Sequence, residues 1–224
     1  MSEKPVGIVG LVSGTGREGS ALALRLAQAE LEVLIGSRVE KRAVDKARDL
    51  AGALRGAGLN PTLAGASNNE VVEKADLVFL SVRFPHVVDS VRGLPFRKGS
   101  WIVDTSVPVV FESGAARYAE TQQSVSEQVQ AALPDARVVA AFKTIPATAL
   151  ADLDSSLDCD LLVCSDDEAA KQATIQVASL IPGLRPLDGG PLEAARTVER
   201  MAALAISLNL RYKKKSARFR IVGI

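Results

Sequence analysis

Along the chain, short apolar runs alternate with longer stretches in which apolar residues recur every three or four positions. Runs at 6–12, 32–35, 62–65, 77–81, 101–104 and 137–142 are rich in Val, Ile, Leu and Ala and read as strands. The first is followed by helical periodicity to about residue 29, the second by a long Arg-, Lys- and Ala-rich helix that Gly56, Gly58 and Pro61 break. Ser67-x-x-Glu70 and Ser124-x-x-Glu127 have the spacing of capping boxes, and Pro85 suits the first turn of the helix after the fourth strand. The stretch 113–130 is polar, with helix expected only at its end. Beyond about residue 145 a strand at 160–163 leads to a helix capped by Ser165-x-x-Glu168. A turn at 187–191 and a long helix from 192 to about 210 follow. Alternation of this kind implies an α/β fold, a doubly wound parallel sheet with right-handed crossovers. The pattern divides the chain into a unit over 1–142 and a small C-terminal α/β domain over 143–224, packed against the C-terminal edge of the main sheet.

Between the first strand and the first helix stands Gly14-Thr15-Gly16-Arg17-Glu18-Gly19. In that position a GxGxxG turn is the dinucleotide-binding turn of a Rossmann-type fold, where glycines let backbone amides approach a pyrophosphate at the helix N-terminus. An NAD-selective site would place Asp or Glu at the end of the second strand, for the ribose 2′-hydroxyl. Here Ser37 and Arg38 stand there, with Arg42 one helical turn further on. Cations in place of the carboxylate suit a 2′-phosphate and point to NADP(H). Ser37 is also explained as the cap of Ser37-x-x-Glu40, and the two arginines as solvated charges.

Composition narrows the class. The 224 residues, 47% hydrophobic and 24% charged, are enough for a sizeable core. No run is long enough to span a bilayer, and Met1-Ser2-Glu3-Lys4-Pro5 has no signal-peptide core, so a cytoplasmic protein is expected, without membrane partners. Cys159 and Cys164 have an odd spacing that turns them to opposite faces of a strand, as buried reduced thiols. A single histidine and the lack of CxxC leave no expected metal site. That histidine, His86, is read as a surface or cap residue, and Asp104 equally as a ligand contact or as a turn residue. The net charge of +1 hides six Lys and Arg with no acid in 211–224, so the first 210 residues carry −5 (1 − 6). A near-neutral body argues against nucleic-acid partners. The basic end, where Tyr212 and Phe219 interleave with the cations, reads as a solvated tail or, on thinner support, as an RNA contact, and it asks what acidic group it meets.

Taken together the motifs resemble the NADPH-dependent coenzyme F420 reductases. The likeness is carried by the glycine turn with Ala23-Leu24-Arg25-Leu26, by Gly36-Ser37-Arg38, by the stretch 140–147 (AAFKTIPA), and by 183–192 (GLRPLDGGPL). It implies hydride transfer between NADP(H) and the deazaflavin coenzyme F420, in a homodimer whose C-terminal domain completes the deazaflavin site. No catalytic side chain is implied, since the chemistry belongs to the cofactors. Thr15, Gly16, Arg17 and Glu18 would line the pyrophosphate, and Ser37, Arg38 and Arg42 the 2′-phosphate. Val82, Val107, Val109 and Ala147 would touch the nicotinamide half, the valines being equally readable as core. Lys143, Thr144, Ile145 and Pro146 would sit where the two rings meet. The chain departs from the family pattern in three places. Leu11, Val12 and Ser13 look like extra residues before the glycine turn, Arg83 replaces a common Pro, and Lys143 stands where some members have His.

Overall fold

A computed structural model of the chain describes residues 6–112 and 115–224. The opening pentapeptide and the start of the polar stretch, Ser113 and Gly114, lie outside the described residues. In chain order the elements begin β1 (Ile8–Val12), α1 (Arg17–Gln28), β2 (Glu32–Ser37), α2 (Glu40–Gly56), β3 (Leu63–Ser67) and α3 (Asn68–Lys74). They continue through β4 (Leu77–Leu80), α4 (Val87–Arg92), β5 (Trp101–Asp104), β6 (Val109–Glu112), β7 (Ala115–Tyr118) and α5 (Val125–Ala132). The last are β8 (Arg137–Ala140), α6 (Ala147–Ala151), β9 (Cys159–Val163), α7 (Glu168–Ser179), β10 (Leu184–Asp188) and α8 (Ala195–Arg211), with a short 3-10 turn at Leu192–Ala194 ahead of α8.

Six strands form one sheet in the order β3-β2-β1-β4-β5-β8, every pair parallel. The order reverses between β1 and β4, which opens a crevice at the C-terminal ends of those strands. Both faces are covered, so alternate side chains of one strand enter different cores. Val9 and Leu11 of β1, with Leu77 and Phe79 of β4, join the core under α1 and α2. Val12, Val78 and Leu80 join the core on the other face, with residues of α3, α4 and α5.

Local chemistry corrects several boundaries. Ser67 and Ser124 cap α3 and α5 as expected, the second as a complete capping box with Glu127. Ser165 does not cap α7; Asp167 does, accepting from the amide of Ala170, while the Ser165 hydroxyl donates to the carbonyl of Val138. Ser37 does not cap α2 either: it is the last residue of β2, and Val39 holds the N-cap position. Pro85 precedes α4 rather than opening it. The strand expected over 137–142 stops at Ala140, because its edge pairs with Cys164 and Phe142 adopts a left-handed backbone (φ 60°). Leu11 and Val12 are the end of β1, opposite Ile35 and Leu80, so the turn itself starts only at Ser13.

Three elements escape the periodicity. The β6–β7 hairpin lies on α8 and is half exposed, so it carries no apolar alternation. Strand β10, with Pro186 in its middle, pairs in parallel with β9 alone; proline is tolerated on such an edge. Helix α6 is only five residues long. Cys159 and Cys164 fall in opposite cores as free thiols, each pushed up to about 11 by burial.

The basic C-terminal segment is exposed over 211–216, as expected of a solvated stretch, but its backbone is pinned to the body. Asp160 accepts from the Arg185 guanidinium through both oxygens (2.8 Å each) and from the amide of Ile221 (2.5 Å). Its own amide donates to the carbonyl of Phe219, and Arg185 donates further to the carbonyls of Ile221 and Ile224. Nearer α8, Thr148 donates to the carbonyl of Lys215, and Asn209 accepts from the amide of Ala217.

Candidate functional site

The site is assembled at the C-terminal ends of β1, β4 and β5. Ser13 makes the turn out of β1 in a left-handed conformation (φ 57°), its amide held by the Asn68 side chain at 3.0 Å. A Cβ on Gly19 would lie 2.5 Å from the Cα of Gly14, so only glycine lets α1 start so close to β1. Gly14 donates to the carbonyl of Gly36 (2.9 Å), which ties the turn to the end of β2 and to Ser37 and Arg38 beyond it. The N-terminus of α1 has no side-chain cap: Gly16 occupies the cap position. Its first amides are therefore open to an anion. Next to the turn, Ser81 donates its amide to Val12, while its buried hydroxyl has no partner within the protein. An uncapped helix start, a close-packed glycine pair and an orphaned hydroxyl fit a bound dinucleotide phosphate.

Beside the turn lies a cavity of about 500 Å3. Its walls are mainly apolar, with Val82 and Phe84 after β4, Val107 and Val109 after β5, Ile145 and Ala147 before and in α6, and Ala202, Ala205 and Ile206 of α8. Of the residues singled out in the sequence, Arg17, Glu18, Val82, Val107, Val109 and Ala147 line it together, with Lys143, Thr144, Ile145 and Pro146. Thr15 and Gly16 remain in the turn. Ser37 is buried and accepts from the amide of Val39 (3.2 Å), whereas Arg38 and Arg42 are exposed at the start of α2. His86 is exposed and outside the lining. Lys214 and Lys215 of the C-terminal segment are part of the lining.

The inner wall is a charged network. Left-handed Phe142, its ring edge-on to Phe79 with centroids 5.5 Å apart, turns the chain so that Lys143 runs inward. The Lys143 ammonium contacts Asp104 at 2.7 Å, Glu199 at 3.1 Å and the carbonyl of Ser106 at 2.6 Å, and all three charged side chains are fully buried. Asp104 also accepts from the Ser126 and Ser106 hydroxyls and from the Ser106 amide. Glu199 accepts from the amide of Val125. Burial alone would lower the lysine, but the two carboxylates hold it above its ordinary value; burial pushes Glu199 up, against the pull of Lys143. Asp104 is thus neither a simple turn residue nor free for a ligand. Glu199 escaped the sequence reading, although a charge inside the apolar stripe of α8, beside Val198 and Ala202, was a signal for it.

A Rossmann-type sheet with its glycine turn at the crevice, and an apolar cavity beside it, defines a nicotinamide-dinucleotide oxidoreductase class. Residues 8–108 match the family model described as NADP oxidoreductase, coenzyme F420-dependent. An F420-dependent NADP reductase of Methanocaldococcus jannaschii is 34% identical over 220 residues, 96% of this chain and 98% of that protein. Its counterpart in Methanothermobacter marburgensis is likewise 34% identical, over 96% and 98%. A crystal structure from Arthrobacter sp. FB24, provisionally described as an F420-dependent NADP reductase, superposes with a TM-score of 0.79 at 26% identity, over 97% of this chain and 100% of that one. The chain belongs to the F420-dependent NADP reductase family.

Proposed function

We propose that the protein moves a hydride directly between NADP(H) and coenzyme F420 inside this cavity. The observation that carries the reading is an apolar chamber that adjoins the uncapped glycine turn and takes walls from both the 1–142 and 143–224 parts of the chain. Its volume is in the range of small-molecule sites. When bound, the nicotinamide C4 and the deazaflavin C5 supply the hydride donor and acceptor positions. The chain's own work is to align the rings and keep water away. The turn amides at Thr15, Gly16, Arg17 and Glu18 and the uncapped start of α1 receive the pyrophosphate, while Ser37, Arg38 and Arg42 receive the 2′-phosphate. Val82, Val107, Val109 and Ala147 form the apolar walls against the nicotinamide, and no side chain acts as nucleophile or metal ligand. The reading includes a cytoplasmic homodimer that binds no nucleic acid. The exposed Phe111, Leu204 and Tyr212 offer apolar surface for a second copy.

The direct test mixes protein, NADPH and oxidised F420 and follows loss of the deazaflavin's visible absorption. Bleaching supports the reading; bound NADPH without bleaching overturns it. Two variants test its parts. Arg38→Ala removes a charge-assisted contact worth roughly 1.5–3 kcal/mol, so NADPH should bind about ten- to a hundredfold more weakly with NADH unchanged. Equal weakening of both cofactors in a titration would make Arg38 structural. Lys213, Lys214 and Lys215 changed together to Ala should raise the Michaelis constant for F420 at low ionic strength, less so at high salt, and leave NADPH binding intact. Lys214 and Lys215 on the cavity wall motivate it. An unchanged constant at low salt removes the segment from the site.

A further inference from the structure

One ionisable side chain of the cavity has no part in the transfer described above. Glu18 is the second residue of α1; half-buried, it lines the chamber with Arg17 and Arg83. It lies by the Thr105 hydroxyl, in the field of Asp104 at the end of β5, Lys143 after β8 and Arg83 after β4. Glu199 of α8 stands behind Lys143, and Lys214 and Lys215 belong to the same wall. Lys143 cannot neutralise Glu18 by bonding to it, because its three protons already go to Asp104, Glu199 and the Ser106 carbonyl. Burial pushes the Glu18 carboxyl up to about 7. The Thr105 hydroxyl opposes this, Asp104 adds to it, and the two cations oppose it. It therefore changes charge in the ordinary working range.

Resting on the function proposed above, we propose that Glu18 distinguishes the oxidation states of the bound dinucleotide, its carboxylate favouring the cationic nicotinamide of NADP+ over the neutral ring of NADPH. The pyrophosphate and 2′-phosphate are common to both forms, so their repulsion of Glu18 cancels in the comparison. What remains is one unit of ring charge beside a carboxyl on a mainly apolar wall. Coupling between ligand and proton is reciprocal. NADP+ must therefore leave Glu18 with a lower pKa than NADPH does, so its complex holds fewer protons at the same pH. Above neutral pH the bound pair is made more reducing, which favours hydride donation to the acceptor.

The experiment is calorimetric titration of the whole protein with NADP+ and with NADPH, without F420, in two buffers of different ionisation heat. Near pH 6.5, NADP+ should release about half a proton more per site than NADPH, for a pKa shift of about one unit. Between about pH 5.5 and 8.5 the ratio of the NADP+ to the NADPH dissociation constant should fall about five- to tenfold by the same linkage. Glu18→Gln should bind both forms with equal proton counts and a flat ratio; Glu18→Asp should keep the sign of the effect. Equal proton release by the wild-type protein, or a difference that survives in Glu18→Gln, would overturn the proposal while leaving the dinucleotide site standing. Failure of both forms to bind would overturn the proposed function together with it.

Discussion

Replacing Lys143 by Met should lower stability by roughly 3–5 kcal/mol, the usual cost of leaving a buried ion-pair partner unpaired. For a chain of this size that corresponds to a melting midpoint roughly 6–20 °C lower. The substitution keeps the apolar stem that lines the cavity and removes only the ammonium, so Asp104 and Glu199 remain buried and uncompensated. The sign with pH follows from the protons. Glu199 already sits above its ordinary range in the folded protein because of burial, and loss of Lys143 removes the charge that pulls it back down. A carboxyl whose folded pKa exceeds the unfolded one makes the folded state bind the extra proton, so stability falls as pH rises through that interval. The deficit should therefore be larger at pH 8 than at pH 5. In the parent protein the two carboxylates hold Lys143 above its ordinary value, so the stability its charge contributes is present below the unfolded lysine's pKa and is lost as pH rises into strong alkali. Adding Glu199→Gln to the Met variant should restore part of the loss, since the sites are in contact. Denaturant titration checks each point, and a Met variant as stable as the parent at every pH would remove the network from the account of the fold.

That network also marks where sequence reading stops. The parallel sheet, the glycine turn and the change of cofactor signal at Ser37 and Arg38 are local or periodic features, and their spacing is visible in one dimension. The partnership of Asp104, Lys143 and Glu199 is not, because it joins the end of β5, the loop after β8 and a helix nearly a hundred residues from the first of them. Asp104 looked like half of a turn because its bond to the Ser106 amide is local, while its bond to Lys143 is not. Glu18 shows the same limit. By sequence it belongs with the pyrophosphate residues, since it is inside GxGxxG; only the fold brings it to the chamber wall near Asp104 and Thr105 at the end of β5. The β6–β7 hairpin and β10 escaped for a different reason. Both are edge elements with one face in solvent or only one neighbour, so neither needs the apolar run that would announce it. The C-terminal basic run misled because charge density describes solvation well and backbone pinning poorly: Asp160 and Arg185, which hold the segment, lie well upstream of it in sequence.

The second large effect is expected at Arg25, whose guanidinium is almost wholly buried, 1% exposed, on the inner face of α1. It donates to the carbonyls of Leu150 (2.8 Å), Ala149 (3.1 Å) and Ser155 (3.0 Å), and to that of Asp152. Those carbonyls end α6 and begin the loop after it, where a five-residue helix leaves its last acceptors without intrahelical donors. Arg25 is thus the C-terminal cap of α6, supplied from another helix. Burial lowers its pKa and Asp152 opposes that, so the cation persists on backbone dipoles with little help from carboxylates. Arg25→Met should strand the two buried carbonyls of Ala149 and Leu150 at about 1–3 kcal/mol each, while those of Asp152 and Ser155 can turn to water, so a net loss of roughly 2–5 kcal/mol is expected. Arg25→Lys should recover less than half of this, because one ammonium cannot span acceptors set out for a planar fork. The damage should reach function through Ala147, the first residue of α6 and part of the cavity wall. The folded fraction of Arg25→Lys should therefore bind NADPH more weakly, with the preference for NADPH over NADH unchanged. Chemical denaturation should show a lower midpoint with an unchanged slope. A midpoint within error of the parent in both variants would mean that the four carbonyls find other donors and that α6 does not depend on α1 for its end.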